Sequence, residues 1–302
     1  MFERHNLLFQ KLTPEQDVLA RLPRIIQTSQ GLKMILIKPG ALTLGSPRKS
    51  QGRRSNETER LVEITKPFYV GIREVINNEF RAFKPDHKSG AEVFKELSNG
   101  LHPTVYVTWE DTVAFCNWLS QKESLQPAYE LKDDKYELIQ PITNGYRLLS
   151  EAEWEWIARY NGGAGDQKYP WGQRMPPEEE SGNFAGELTE SIVKNYMSDY
   201  FDGYPVTSPP KKFKPNLLGI YDLGGNVAEW VNDYYSVFPK NTTSAIQDPF
   251  GPFIGNTKVI KGSSWRDSSV TVLRYSYRDY GSLPRLDVGF RIARYNTIDI
   301  DD

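Results

Sequence analysis

With 302 residues, 38% of them hydrophobic, the chain can bury a large core, as one big domain or two small ones. Its 37 basic and 39 acidic residues leave a formal net charge of −2, which offers no basic face to nucleic acid or an anionic membrane. The single cysteine, Cys116, and the three scattered histidines, His5, His87 and His102, exclude an intramolecular disulfide, a cysteine-based zinc or iron–sulfur site, and a three-histidine metal centre made within the chain.

The N-terminus, MFERHNLLFQ, carries charge early and lacks the apolar stretch of a secretory signal. No apolar run approaches the length needed to cross a bilayer, MILI at 34–37 being typical. Thr13-Pro14-Glu15-Gln16 places an N-cap, a first-turn proline and a capping-box glutamine in order, which predicts a helix ending before Pro23. Residues 1–24 read as a helical appendage, 25–296 as the main domain and 297–302 as a short acidic tail. From residue 33, KMILIKPG, ALTLGS and LVEITKPFYVGIREV give short strand signals, each ending in Gly, Pro or Ser.

Thr108-Trp109-Glu110-Asp111 predicts a helix start, with Trp109, Val113, Cys116 and Leu119 or Ser120 on one stripe. That stripe makes Cys116 a core thiol rather than a nucleophile. Ser150-Glu151-Ala152-Glu153 is a second capping box, opening a helix with Trp156 and Tyr160 four apart. Glu151, Glu153 and Glu155 sit where carboxylates complement a helix dipole, so they read as structural. The second half alternates short aromatic strands with glycine turns and shows no long helix. Helices early and strands late, within one chain containing 23 Gly and 20 Pro, predict an α+β fold.

Taken in order, KMILIKPGALTLGS, HPTVYVTWEDTVAFCNWLS, GYRLLSEAEWEWIAR, YPWG, LGIYDLGGNVAEW and VIKGSSW…RYSYR…VGFRIAR resemble the sulfatase-modifying-factor family, whose best-known members are the formylglycine-generating enzymes. The resemblance runs over about residues 33–294 and implies a single irregular, C-type-lectin-like α+β domain. The family's enzymes hold Cu(I) on two cysteines after the G-x-S-aromatic turn, soft sulfur selecting a soft metal. Here those positions are Asp267, a hard ligand, and Val272, no ligand at all. No copper and no formylglycine formation are therefore expected, and no catalytic residue is assigned. Relatives that make sulfoxides use an iron held by three histidines, which this chain does not supply.

The resemblance also implies structural calcium. One site maps onto Asp222 and Glu229 through their carboxylates and onto Gly225 and Val227 through their carbonyls, an oxygen set suited to a hard cation. A second maps onto Asn183 with Phe184 and Asp202 with Tyr204, the aromatic residues contributing carbonyls only. The competing reading is a glycine turn needing positive φ, with Glu229 paired to an arginine. Ser264, Trp265, Asp267, Arg274 and Arg278 map onto the cleft in which the enzymes bind an extended peptide, so a peptide or small ligand is a possible occupant. The alternative puts Trp265 in the core and pairs the arginines with Asp267, Asp279 or Asp287.

These features favour a calcium-stabilised binding, scaffold or regulatory module with protein partners, like bacterial relatives in envelope and secretion machinery. An oxidoreductase with an altered metal site at Asp267, and a lectin-like ligand binder, are the alternatives.

Overall fold

A computed structural model describes residues 21–162 and 165–295. The helix expected from Thr13 falls chiefly outside these residues, and the acidic tail wholly so. A strand not expected from the sequence, β1 (Ile25–Gln27), comes first, and the expected early strands form as β2 (Lys33–Ile37), β3 (Gly40–Leu44), β4 (Arg60–Ile64) and β5 (Phe68–Gly71). A short helix, α1 (Asn77–Arg81), follows, opened by the Ile76 amide donating to Glu79 Oε2 at 3.0 Å.

The two capping boxes both form. Thr108 Oγ1 accepts from the Asp111 amide at 3.1 Å and starts α2 (Trp109–Lys122), which buries Trp109, Val113, Cys116 and Leu119 as its stripe requires. Ser150 Oγ accepts from the Glu153 amide at 3.1 Å and starts α3 (Glu151–Arg159). On α3 the rings of Trp156 and Tyr160 pack edge-on at 5.5 Å. Between the helices lie β6 (Tyr129–Lys132), β7 (Lys135–Leu138) and β8 (Arg147–Leu148). The β6–β7 hairpin turns on Asp133 and Asp134, with φ of +47° and +60°. The Asp-Asp pair between strand-like runs is the signal that would have found it.

The second half supplies β9 (Ala228–Tyr234), β10 (Asn241–Gln247), β11 (Lys258–Lys261), β12 (Asp279–Gly281), β13 (Val288–Phe290) and β14 (Ile292–Tyr295). The strands order as β1-β2-β5-β14-β8, β10-β4-β3 and β12-β11-β9-β13, with β6-β7 a separate ribbon. Pairs are antiparallel except β10 with β4 and β13 with β9. This is the α+β arrangement expected. β14 sits between β5 and β8, pairing Ala293 with Val70 and with Arg147, so the end of the domain is stitched into its beginning. β5 is buried at all four positions, as a strand inside the five-stranded sheet must be.

One core lies around α2, where Phe80, Phe115, Cys116, Trp230 and Phe290 meet. Another lies around α3, where Trp154, Trp156 and Ile157 pack on Leu42, Leu44, Val62 and Ile64 of β3 and β4. All three α3 glutamates are buried. Their first-turn position suits the helix dipole, and tertiary pairing does the rest. Glu151 meets Arg278, Glu153 meets Arg147, and Glu155 meets both Lys261 and Arg159. A buried carboxylate without such a partner would be strongly destabilising.

Candidate functional site

The turn before β9 needs unusual backbone. Asp222, Gly225 and Asn226 have φ of +56°, +90° and +61°. A Cβ on Gly225 would stand 2.9 Å from the Asn183 carbonyl oxygen, so glycine is required both by φ and by space. That close approach joins the two turns assigned to calcium, because the Asn226 amide donates to the Asn183 carbonyl at 2.8 Å.

Glu229 does pair with an arginine. Arg291 Nη2 donates to Glu229 Oε1 at 2.8 Å, and Trp154 Nε1 donates to its other oxygen at 2.8 Å. Arg291 also reaches the carbonyls of Gly71 and Tyr221. Asp222 Oδ2 accepts from the Lys211 amide at 2.7 Å. A third carboxylate, Glu74, stands in the same buried neighbourhood and was not singled out in the sequence. Burial, then repulsion by Asp222, pushes its carboxyl well above the usual range. Burial likewise pushes Asp222 up to about 6. Glu74 Oε2 is buried with no hydrogen-bond partner.

Three carboxyl groups share one guanidinium, so their charge exceeds it whenever Glu74 and Asp222 are both ionised, and one Glu74 oxygen has no donor. Both features fit a hard divalent cation. Among the described residues, no group of three or more His, Cys, Asp or Glu side chains is arranged to hold a metal. A cation at this turn would therefore need the Gly225 and Val227 carbonyls that the family resemblance implies.

At the second turn, Asp202 caps two backbone amides, accepting from Phe184 and from Tyr204 at 2.9 Å each. Burial pushes Asp202 up to about 6. Asn183 donates to the Val206 carbonyl at 2.7 Å, while its Oδ1 is buried without a partner. A buried amide oxygen without a donor, at the turn whose next amide Asp202 accepts, is again compatible with a cation.

The five residues assigned to a ligand pocket do not share one opening. Trp265 is fully buried among Leu97, Val105, Val206 and Val227. Arg274 makes a bidentate pair with Glu57, at 2.5 and 2.6 Å, and Arg278 does the same with Glu151, at 2.5 and 2.9 Å. The arginines are thus paired, but with Glu57 and Glu151 from the first half; Asp279 and Asp287 pair instead with Arg285. Local sequence could not reveal this, because both glutamates lie more than a hundred residues away.

Ser264 and Asp267 are brought together. Asp267 Oδ2 accepts from the Ser264 amide at 2.8 Å and lies 3.0 Å from its hydroxyl, which is also 3.1 Å from Asp287 Oδ2. One hydroxyl proton cannot serve two carboxylates. Burial, then the charge of Asp287, raises Asp267 to about 6. Asp267 and Val272 also line one open cleft of about 330 Å³, with Ile192, Val193 and Arg266. Cys116 lies elsewhere, fully buried on α2, where burial pushes its thiol well above the ordinary range. A carboxylate bonded to serine and an isopropyl group do not form a Cu(I) site.

A family profile described as "Sulfatase-modifying factor enzyme 1-like domain" matches residues 21–296. A formylglycine-generating enzyme of Thermomonospora curvata is 33% identical over 166 residues, which is 54% of this chain and 45% of that protein. The chain thus spans less than half the length of that curated relative. The chaperone protein LppX of Paenibacillus barcinonensis is 31% identical over 80% of this chain and 84% of its own. Among solved structures, Treponema denticola variable protein 1 superposes with a TM-score of 0.71 at 27% identity, over 91% of this chain and 100% of its own.

Proposed function

The chain belongs to the sulfatase-modifying-factor family, and on that premise we propose that it is a non-catalytic member that binds a protein partner through the cleft at Asp267 and Val272. The observation that carries this reading is the cleft itself: the two positions that bear thiolates in the enzymes are Asp267 and Val272 here, and both line an open cleft. A cleft of about 330 Å³ is of the size that takes a few side chains of an extended segment. The name chaperone, borne by a relative matched over most of both chains, favours a binding role over turnover. Calcium at the 222–229 turn and at the Asn183–Asp202 turn belongs to the same proposal, as a stabiliser of the loops that frame the domain. Among the described residues no helix is long and apolar enough to cross a membrane.

Native mass spectrometry of the protein from its own source, with metals retained, tests the reading. A stoichiometric complex with another chain that is lost in Val272→Arg, at an unchanged melting temperature, supports it. Turnover of a cysteine-containing peptide in the presence of Cu(I), oxygen and thiol, lost in Asp267→Ala, overturns it.

A further inference from the structure

A second cavity shares no lining residue with the Asp267–Val272 cleft. It measures about 290 Å³ and is walled by Trp109, Tyr136, Leu138, Tyr234 and Phe250, with Lys258 on its lining. A cleft of about 240 Å³ continues it, sharing Trp109, Tyr136, Tyr234 and Lys258. Phe253 and Ile254 line its mouth, at 86% and 88% exposure. Nothing in core packing calls for two adjacent apolar side chains so open to water.

Lys258 is the unusual group. Among the described residues, the other buried cations, Arg60, Arg147, Lys261, Arg274, Arg278 and Arg291, each have a carboxylate in ion-pair contact. Lys258 is buried too, though the most exposed of the set at 8%, and has none; its Nζ donates to the Asn232 carbonyl at 3.0 Å and lies 3.7 Å from the Trp109 ring centre and 3.4 Å from that of Tyr234. The ring faces favour its ammonium form, and burial favours the amine. Burial dominates, lowering Lys258 to about 7 against the opposing charges of Asp233 and Glu110. Around the opening stand Glu137, Glu110 and Asp134 with Lys135, a mainly acidic rim that disfavours an anionic ligand.

We propose that this cavity is a second ligand site, which takes an apolar aldehyde or ketone and holds it as an imine on Lys258. A buried amine with no carboxylate in ion-pair contact, in an apolar pocket open to solvent, has the setting of a Schiff-base lysine. The lysine nitrogen adds to the carbonyl carbon and its proton passes through water to the carbonyl oxygen. One water then leaves as the C=N bond forms, and no oxidant or reductant is consumed. The aromatic walls and the Phe253–Ile254 mouth gather the apolar body of the ligand.

The test is reductive trapping with 2-naphthaldehyde and cyanoborohydride at neutral pH, followed by peptide mapping of the intact chain's lysines. Lys258 is expected to label at least tenfold faster than Lys240, whose side chain is 57% exposed. Equal rates at the two lysines overturn the proposal. The exposed pair Phe253→Ser and Ile254→Ser is expected to slow labelling at Lys258 severalfold and leave Lys240 unchanged; no change at Lys258 overturns the role of the cavity. Protection of Lys258 by 2-naphthoate that exceeds protection by 2-naphthalenemethanol would make the site one for anions and overturn the carbonyl assignment.

Discussion

Around α3, Glu151, Glu153 and Glu155 are met by five cations, Arg60, Arg147, Arg159, Lys261 and Arg278. Around the turn before β9, Glu74, Asp222 and Glu229 are met by Arg291. Both clusters lie largely out of water, yet Glu151 and Glu155 are lowered while Glu74 and Asp222 are raised. Burial alone would raise Glu151, but Arg278 and then Lys261 hold it down at about 2. Glu74 is raised by burial and then by Asp222, and Asp222 by burial with added repulsion from Glu229, beyond what Arg291 offsets. Matched charge keeps a buried carboxylate ionised, and unmatched charge shifts it toward the neutral acid.

The comparison breaks most readily at Arg147. Arg147→Met strands Glu153, to which it donates two hydrogen bonds of 2.7 Å, and is expected to cost about 3–5 kcal/mol in urea unfolding. A loss below about 1 kcal/mol would reduce the pair to the rank of an exposed one. Acid supplies the next largest effect. Glu151 has a folded value below its unfolded one, so its contribution is present above about pH 4.5 and is lost as pH falls through about 2. The contribution is about 3 kcal/mol at neutral pH, and Glu151→Gln is expected to flatten acid denaturation across that window.

At the unmatched turn, calcium at a hundredfold excess over Kd is expected to add about 2.7 kcal/mol and a chelator to remove it. Asp222→Asn should abolish most of that response. A melting temperature indifferent to both calcium and chelator would assign the excess charge to protons rather than to a metal. The smallest effect sharpens the α3 side: Ser150→Ala removes the cap on the Glu153 amide at a cost of about 1 kcal/mol.

The two helices, their caps and the buried stripe of Cys116 were legible because each rests on residues three or four apart. The α+β class was legible for the same reason, from local periodicity and turn residues. The β6–β7 hairpin carried a readable Asp-Asp turn. The partners of Arg274 and Arg278 did not, since an arginine carries no mark of which distant carboxylate will meet it. Neither did Glu74, which looks like any polar residue after a strand until folding brings Asp222, Asn226 and Arg291 to it. The cavity at Lys258 joins residues of α2, β7, β9 and β11 and was equally hidden.

By itself, then, the sequence determined where α2 and α3 start and that no thiolate pair exists for Cu(I), because both depend on residue identity and short spacing. The tertiary structure alone decided which buried charges are matched and which are left over. That balance is a sum over groups far apart in the chain, and in a low-dielectric interior the same carboxyl group stays ionised beside one guanidinium and is pushed toward its neutral form beside another carboxylate.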